Sequence, residues 1–204
     1  MRTKLKLLSL ISGGLDSPVA SYFMLKSGYN IDFVFFDIFG ETEQIKEIVK
    51  QLKKQLKIRS GMKLFIVSYN EILKAMSEKS RNFLCILCKR MMLRIANKIG
   101  GDALITGDSL GQVASQTIEN LFCEDKASRL PVLRPLIGFD KSEIILVAKN
   151  IGTYDLQINR SCPFTPRKPK TKAKLKQIKY IEKEIEIDKL TKTAIKNMKT
   201  IMVF

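Results

Sequence analysis

Residues 7–11 (Leu-Leu-Ser-Leu-Ile) lead directly into Ser12-Gly13-Gly14-Leu15-Asp16-Ser17, and Pro18 follows at once. The apolar run reads as a buried strand. The two glycines allow a tight turn and a close approach of main chain to a ligand. Pro18 then falls in the first turn of a helix, where its missing N–H costs nothing. A strand that turns straight into a helix belongs to a parallel sheet, because parallel neighbours are joined by such crossovers. The turn also points to a chemistry. Its N–H groups and those of the first helical turn point to one place, and the helix dipole makes that place attractive to an anion. Ser12 and Ser17 add hydroxyl donors. Asp16 alone would repel a phosphate, but it would serve one held together with Mg²⁺. Neither Gly-Lys-Ser/Thr nor G-x-G-x-x-G accompanies the turn, which excludes the two commonest glycine-rich phosphate loops.

The remaining chain alternates in the same way. Strands are expected at 31–37, 62–68 and 103–106. The first helix ends at Gly28, and a second is expected at 41–57, where Ile45, Ile48, Val49, Leu52 and Leu56 share one face. Further helices are expected at 69–79, 86–99, 109–121 and 144–150, the last behind the capping box Asp140-Lys141-Ser142-Glu143. The fold class is α/β, a doubly wound, mostly parallel sheet with helices on both faces. We assign residues 1–166 to this domain. From 167 the composition changes: 12 Lys or Arg stand against 4 Asp or Glu, half of the chain's surplus charge. Leu175, Ile178, Ile181 and Ile185 mark a helical stripe there, so 167–204 reads as a basic, helical C-terminal extension.

The formal net charge of +16 is the footprint of a polyanionic partner, with RNA first, then DNA or an acidic membrane face. Lysine used only for solubility is the alternative. No apolar run approaches a membrane span. The basic-then-apolar start resembles a secretory leader, but its apolar part is only 7–11 and no cleavage site follows. A reducing, cytoplasmic setting is expected.

There is no histidine, so a metal site must use cysteine, carboxylate or main chain. Cys85-Ile86-Leu87-Cys88 has the spacing of two sulfurs on one metal or cluster edge, or of a redox pair. Cys162 lies in a loop and could join them, giving three thiolates, one short of a closed structural site. Cys123 reads as a small buried apolar residue.

SGGxDS after a strand and before a helix resembles the PP-loop of ATP pyrophosphatases, which cleave ATP between its α- and β-phosphates. Thr106-Gly107-Asp108-Ser109-Leu110-Gly111-Gln112-Val113-Ala114-Ser115-Gln116-Thr117 adds a longer match. With SGGLDSPVA, CKRMMLRIA, VLRPLI, DKSEII and IGT it resembles the catalytic domain of tRNA 4-thiouridine synthetases, the ThiI family. The resemblance implies an adenine nucleotide α-hydrolase-like sheet and an ATP-dependent tRNA sulfurtransferase. By resemblance Ser12, Gly13, Gly14, Asp16 and Ser17 cradle pyrophosphate and Mg²⁺. Leu10, Ile11, Phe35 and Phe36 frame adenosine, and Lys89, Gly107 and Gln116 contact the nucleotide. Lys89 stands where Arg is frequent, and Asp108 where Glu is usual. Cys162 matches the sulfur-transfer cysteine. Cys85 and Cys88 resemble the archaeal-type branch, in which a CxxC and that third cysteine hold an iron–sulfur cluster (4Fe-4S or 3Fe-4S), with zinc as the alternative.

The resemblance begins at the catalytic domain, without the ferredoxin-like and THUMP region that grips tRNA in the family. A separate THUMP-containing protein or the basic tail would then bind tRNA, and a sulfur donor is required. A homodimer is also expected. Two other readings stay open: a PP-loop sulfurtransferase acting on another RNA position or a small metabolite, and a zinc-holding RNA-binding module.

Overall fold

The computed structural model describes residues 5–113 and 116–204. In chain order the elements begin β1 (Lys6–Ile11), α1 (Asp16–Lys26), β2 (Asn30–Asp37), α2 (Thr42–Gln55) and β3 (Met62–Ser68). They continue with α3 (Asn70–Lys79), α4 (Leu84–Ile99), β4 (Ala103–Ile105), α5 (Ile118–Asp125) and β5 (Val132–Leu133). The last are α6 (Lys141–Asn150), α7 (Leu175–Glu184), α8 (Ile187–Lys196) and β6 (Lys199–Val203). The sheet order is β5-β4-β1-β2-β3-β6, parallel throughout except for the β3–β6 pair.

Strand residues alternate between two cores, as a period of two requires. Leu7, Phe33, Phe35 and Leu64 pack with α1, α2 and α6. Leu8, Val34, Phe36 and Val67 pack with α3, α4, α7 and α8 on the other side. Strand β2, with six consecutive buried residues, is apolar on both faces because both are covered. Helix α1 lies close to the sheet because Ser17, Pro18, Ala20 and Ser21 are small; Ser21 Oγ sits 2.8 Å from Ser9 Oγ on β1. At α6 both halves of the capping box form, Asp140 accepting from Glu143 N and Glu143 from Asp140 N.

Two expectations change. The helix expected at 109–121 begins only at Ile118, with Thr117 as its cap; residues 114 and 115 lie outside the described residues. The reason is local. Gly111 takes φ 75°, Ser109 Oγ donates to Phe139 O at 2.7 Å, and Gly111 N bonds back to Gln116 O, so the segment closes a loop. The segment 167–204 is helical where the apolar stripe lies, but it also supplies α8 and the edge strand β6. Ile178, Ile185, Ile187 and Ala194 are buried in the core around α4. Lys53, itself buried, donates Nζ to Val203 O at 2.9 Å, and Val203 lies in the opposite core. Arg90 on α4 forms a two-pronged pair with Glu182 on α7, and Arg94 grips the same carboxylate.

The strands run outward from β1 in both directions: β2 and β3 to one side, β4 and β5 to the other. The carboxyl ends of β1 and β4 therefore bound the crevice where such sheets bind ligands.

Candidate functional site

The loop 12–17 sits in that crevice. Ser12 N donates to Ser17 Oγ at 2.8 Å, the two hydroxyls are 2.9 Å apart, and Gly14 N reaches Ser12 Oγ at 3.4 Å. Its shape depends on the glycines. A Cβ on Gly13 would stand 2.4 Å from Ile158 Cδ1, and Ile158 N donates to Gly13 O at 2.8 Å. A Cβ on Gly107, from the loop after β4, would stand 2.6 Å from Ser17 N. A Cβ on Gly14 would meet only Ser12 Oγ, at 3.6 Å, so that side of the turn is open to a ligand. Asp16, at the rim, pairs with Lys141 from the first turn of α6 at 2.6 Å.

Two cavities meet at Leu10, Ser12 and Met92. The first, about 240 Å³, is lined by Asp16, Ser17, Lys89, Gly107 and Gln116. The second, about 320 Å³, is lined by Ile11, Gly13, Gly14, Phe35, Phe36 and Cys162. Every residue expected to bind nucleotide thus borders one or both. Ile11, Phe35 and Phe36 are buried, and they form the floor of the second cavity. Arg160, stacked on Phe39 at 5.3 Å and 3.5 Å from Glu41, stands on its rim.

A charged cluster also lines the first cavity. Asp108 accepts from Lys89 at 2.6 Å, from Thr106 at 2.7 Å and from Arg134 at 3.2 Å. Arg134 also holds Asp125 at 2.6 Å, and Glu124 Oε2 is 3.8 Å from Lys89. Burial alone would raise the Asp108 carboxyl, but Lys89, Thr106 and Arg134 hold it below the usual range. Burial would lower the Lys89 ammonium, yet Asp108 and Glu124 raise it. Glu124 is different: burial dominates and pushes its carboxyl up to about 8.

Cys85 and Cys88 occupy the first turns of α4, and neither borders either cavity. Their thiols and that of Cys162 lie within electrostatic reach of one another. Burial, then Cys162, raises Cys85; burial pushes Cys88 up to about 12. Buried Tyr69, the residue before α3, donates to Cys88 O at 3.0 Å. Among the described residues no three His, Cys, Asp or Glu side chains close on a single metal position. The three thiols are therefore neighbours without forming a one-ion cage. Cys123 is buried, as expected. Lys141, Glu124, Arg134 and Arg160 complete the site but are not among the residues expected from sequence. Lys141 and Arg134 carry a signal, since they stand inside the DKSEII and VLRPLI segments.

The family model described as Thiamine biosynthesis protein (ThiI) matches residues 2–187. A probable tRNA sulfurtransferase of Finegoldia magna is 40% identical over 207 residues, covering 96% of this chain and 53% of that protein. One from Methanocaldococcus jannaschii is 37% identical over 194 residues, covering 89% of this chain and 50% of that protein. The chain thus spans about half the length of these curated relatives. A crystal structure of a 4-thiouridine synthetase–RNA complex with bound ATP superposes with a TM-score of 0.92 at 34% identity, over 100% of this chain and 56% of that one.

Proposed function

The chain belongs to the ThiI family, and on that premise we propose that it carries the ATP-using half of a tRNA thiolation. ATP adenylates O4 of a uridine, pyrophosphate leaves, and sulfur then displaces AMP to give 4-thiouridine. The observation that carries this reading is the self-bonded loop 12–17 at the reversal of strand order, with Asp16 at its rim. The serine hydroxyls and the glycines hold the turn in one shape, and donors of the turn and first helical turn held in this way would stabilise charge on a departing pyrophosphate. Gly14 leaves room for a phosphate, and Ser12 and Ser17 supply hydroxyls beside it. Leu10, Ile11, Phe35 and Phe36 frame adenosine in the second cavity. Lys89, held by Asp108, stands where it can meet phosphate charge, and Gln116 lies in the same cavity.

Asp16 suits a divalent cation shared with the phosphates, since its carboxylate is partly exposed and its ion-pair partner is the exposed Lys141. Such a cation would disperse the charge of the leaving pyrophosphate. Cys85, Cys88 and Cys162 suit an iron–sulfur cluster better than a single zinc ion: the three thiols are electrostatic neighbours, yet among the described residues no three side chains close on one ion position. A cluster would supply the sulfur chemistry, and its positive charge would lower thiols that burial has raised. Cys162, which also borders the nucleotide cavity, links the two functions. We assign 1–166 as the catalytic unit and the exposed lysines of 167–204 as an RNA-facing surface. A tRNA-binding partner or region with THUMP character, a sulfur donor, a homodimer and a cytoplasmic setting complete the reading.

The test is Asp16→Ala. Its ion pair with Lys141 is largely solvent-exposed, so the variant should fold with a stability loss below about 1 kcal/mol. RNA-dependent AMP formation should disappear while the melting curve stays cooperative. Normal AMP release by this variant overturns the assignment of the loop.

A further inference from the structure

Glu124 has no role in the reading above, yet its position is unusual. It lies in the last turn of α5, is 1% exposed, and borders the first cavity. Its Oε1 has no hydrogen-bond partner among the described residues. Burying a carboxylate oxygen without a donor is costly, so such an atom calls for a group that is missing. The charged residues around it are committed elsewhere. From α4, Lys89 binds Asp108 at 2.6 Å and is 3.8 Å from Glu124 Oε2. From the loop after β4, Asp108 faces it with like charge. From the loop after β5, Arg134 is taken up by Asp108 and Asp125, and Asp125 follows Glu124 on its own helix. Cys85, one turn before Lys89, feels the Glu124 charge. Glu124 therefore shares the first cavity with the loop 12–17 and lies within electrostatic reach of Cys85.

We propose that Glu124 is the proton acceptor for the target uracil: its Oε1 receives the imide N3–H and takes that proton as O4 is adenylated. This rests on the adenylation reading above. The chemistry selects the partner. Oε1 is an acceptor without a donor among the described residues, and a neutral N–H group brought by the substrate fits it. Of the N–H groups that the reaction brings, only the imide must lose its proton. The O4–Pα bond forms, the bond from Pα to the bridging oxygen breaks, and pyrophosphate leaves. The N3–H electron pair becomes the N3=C4 bond, and the C4=O4 π pair becomes the new bond to phosphorus. The proton passes to the carboxylate. A carboxyl that titrates near neutral pH suits such a transfer. An acceptor at this position also favours uracil over cytosine, whose N3 carries no proton.

The experiment follows pyrophosphate release by the protein with Mg-ATP, unmodified tRNA transcript and the THUMP-type tRNA-binding partner or region, across neutral to alkaline pH. The wild-type rate should rise with pH and level off above about 8, where Glu124 is ionised. Glu124→Gln, nearly the same shape, should lower kcat by about a hundredfold and remove that pH dependence, with the KM for ATP unchanged. Glu124→Asp should recover part of the rate. A Glu124→Gln enzyme that keeps the wild-type rate or the wild-type pH profile overturns the proposal. A rise in the KM for ATP at unchanged kcat overturns it too, and makes Glu124 a contact to adenine. If the wild type binds ATP yet releases no pyrophosphate with tRNA, the adenylation reading fails first and the proposal falls with it.

Discussion

Gly107 faces the main chain of Asp16 and Ser17 with no room for a side chain. Resemblance marks it as a nucleotide contact, but its geometry gives it a second duty, to let the loop after β4 lie against the start of α1. Gly107→Ala forces backbone apart and should cost about 1–3 kcal/mol, read as a lower denaturation midpoint. It should also weaken ATP binding, because Ser17 shifts with it. A variant as stable as wild type with normal ATP affinity contradicts this packing role. Single residues are legible in proportion to how local their job is. Ser12, Gly13, Gly14, Asp16 and Ser17 form one turn, and spacing alone exposes them. Glu124 and Lys141 owe their roles to partners far away in sequence; Lys141 meets Asp16 from 125 positions downstream.

At the level of elements, α4 and α7 are joined through one buried carboxylate. Glu182 is 4% and Arg90 1% exposed, and the one carboxylate pairs with both Arg90 and Arg94. Glu182→Ala strands a buried guanidinium and should cost about 3–5 kcal/mol in equilibrium unfolding. Replacing Arg94, which is more exposed, should cost less, and the opposite ranking in urea denaturation contradicts this account. Long periodic helices and apolar strands are readable because their faces repeat. Helix α5 starts later than its apolar spacing suggests, because Gly111 and the hydroxyl of Ser109 hold the preceding segment in a loop. Strand β6 escapes a sequence reading for another reason. Its five residues include Lys199 and Thr200, and only pairing with β3 and the Lys53 bond to Val203 define it.

For the whole molecule, charge and fold overlap in residues 167–204. That segment both completes the sheet and carries half of the +16 surplus. Removing it would take away the edge strand of the sheet, so the RNA-facing role proposed for it has to be tested by charge alone. Lys172, Lys176 and Lys179 are exposed. Changing all three to Gln should leave the melting temperature nearly unchanged while weakening tRNA binding. The slope of log affinity against log salt should become shallower by about one for each phosphate left without its lysine. An unaltered slope assigns the tail to structure only. Composition alone foretells an anionic partner, but not that the basic segment is woven into the core, since burial of Ile178, Ile187 and Val203 depends on helices and strands distant in sequence.

The phosphate loop is walled by Ile158 on one flank and by Gly107 on the other. Its shape is set by packing contacts of the fold, so under the proposed function a nucleotide would meet a segment already ordered. The entropy of ordering that segment then belongs to the folding equilibrium and would not be subtracted from the affinity for ATP.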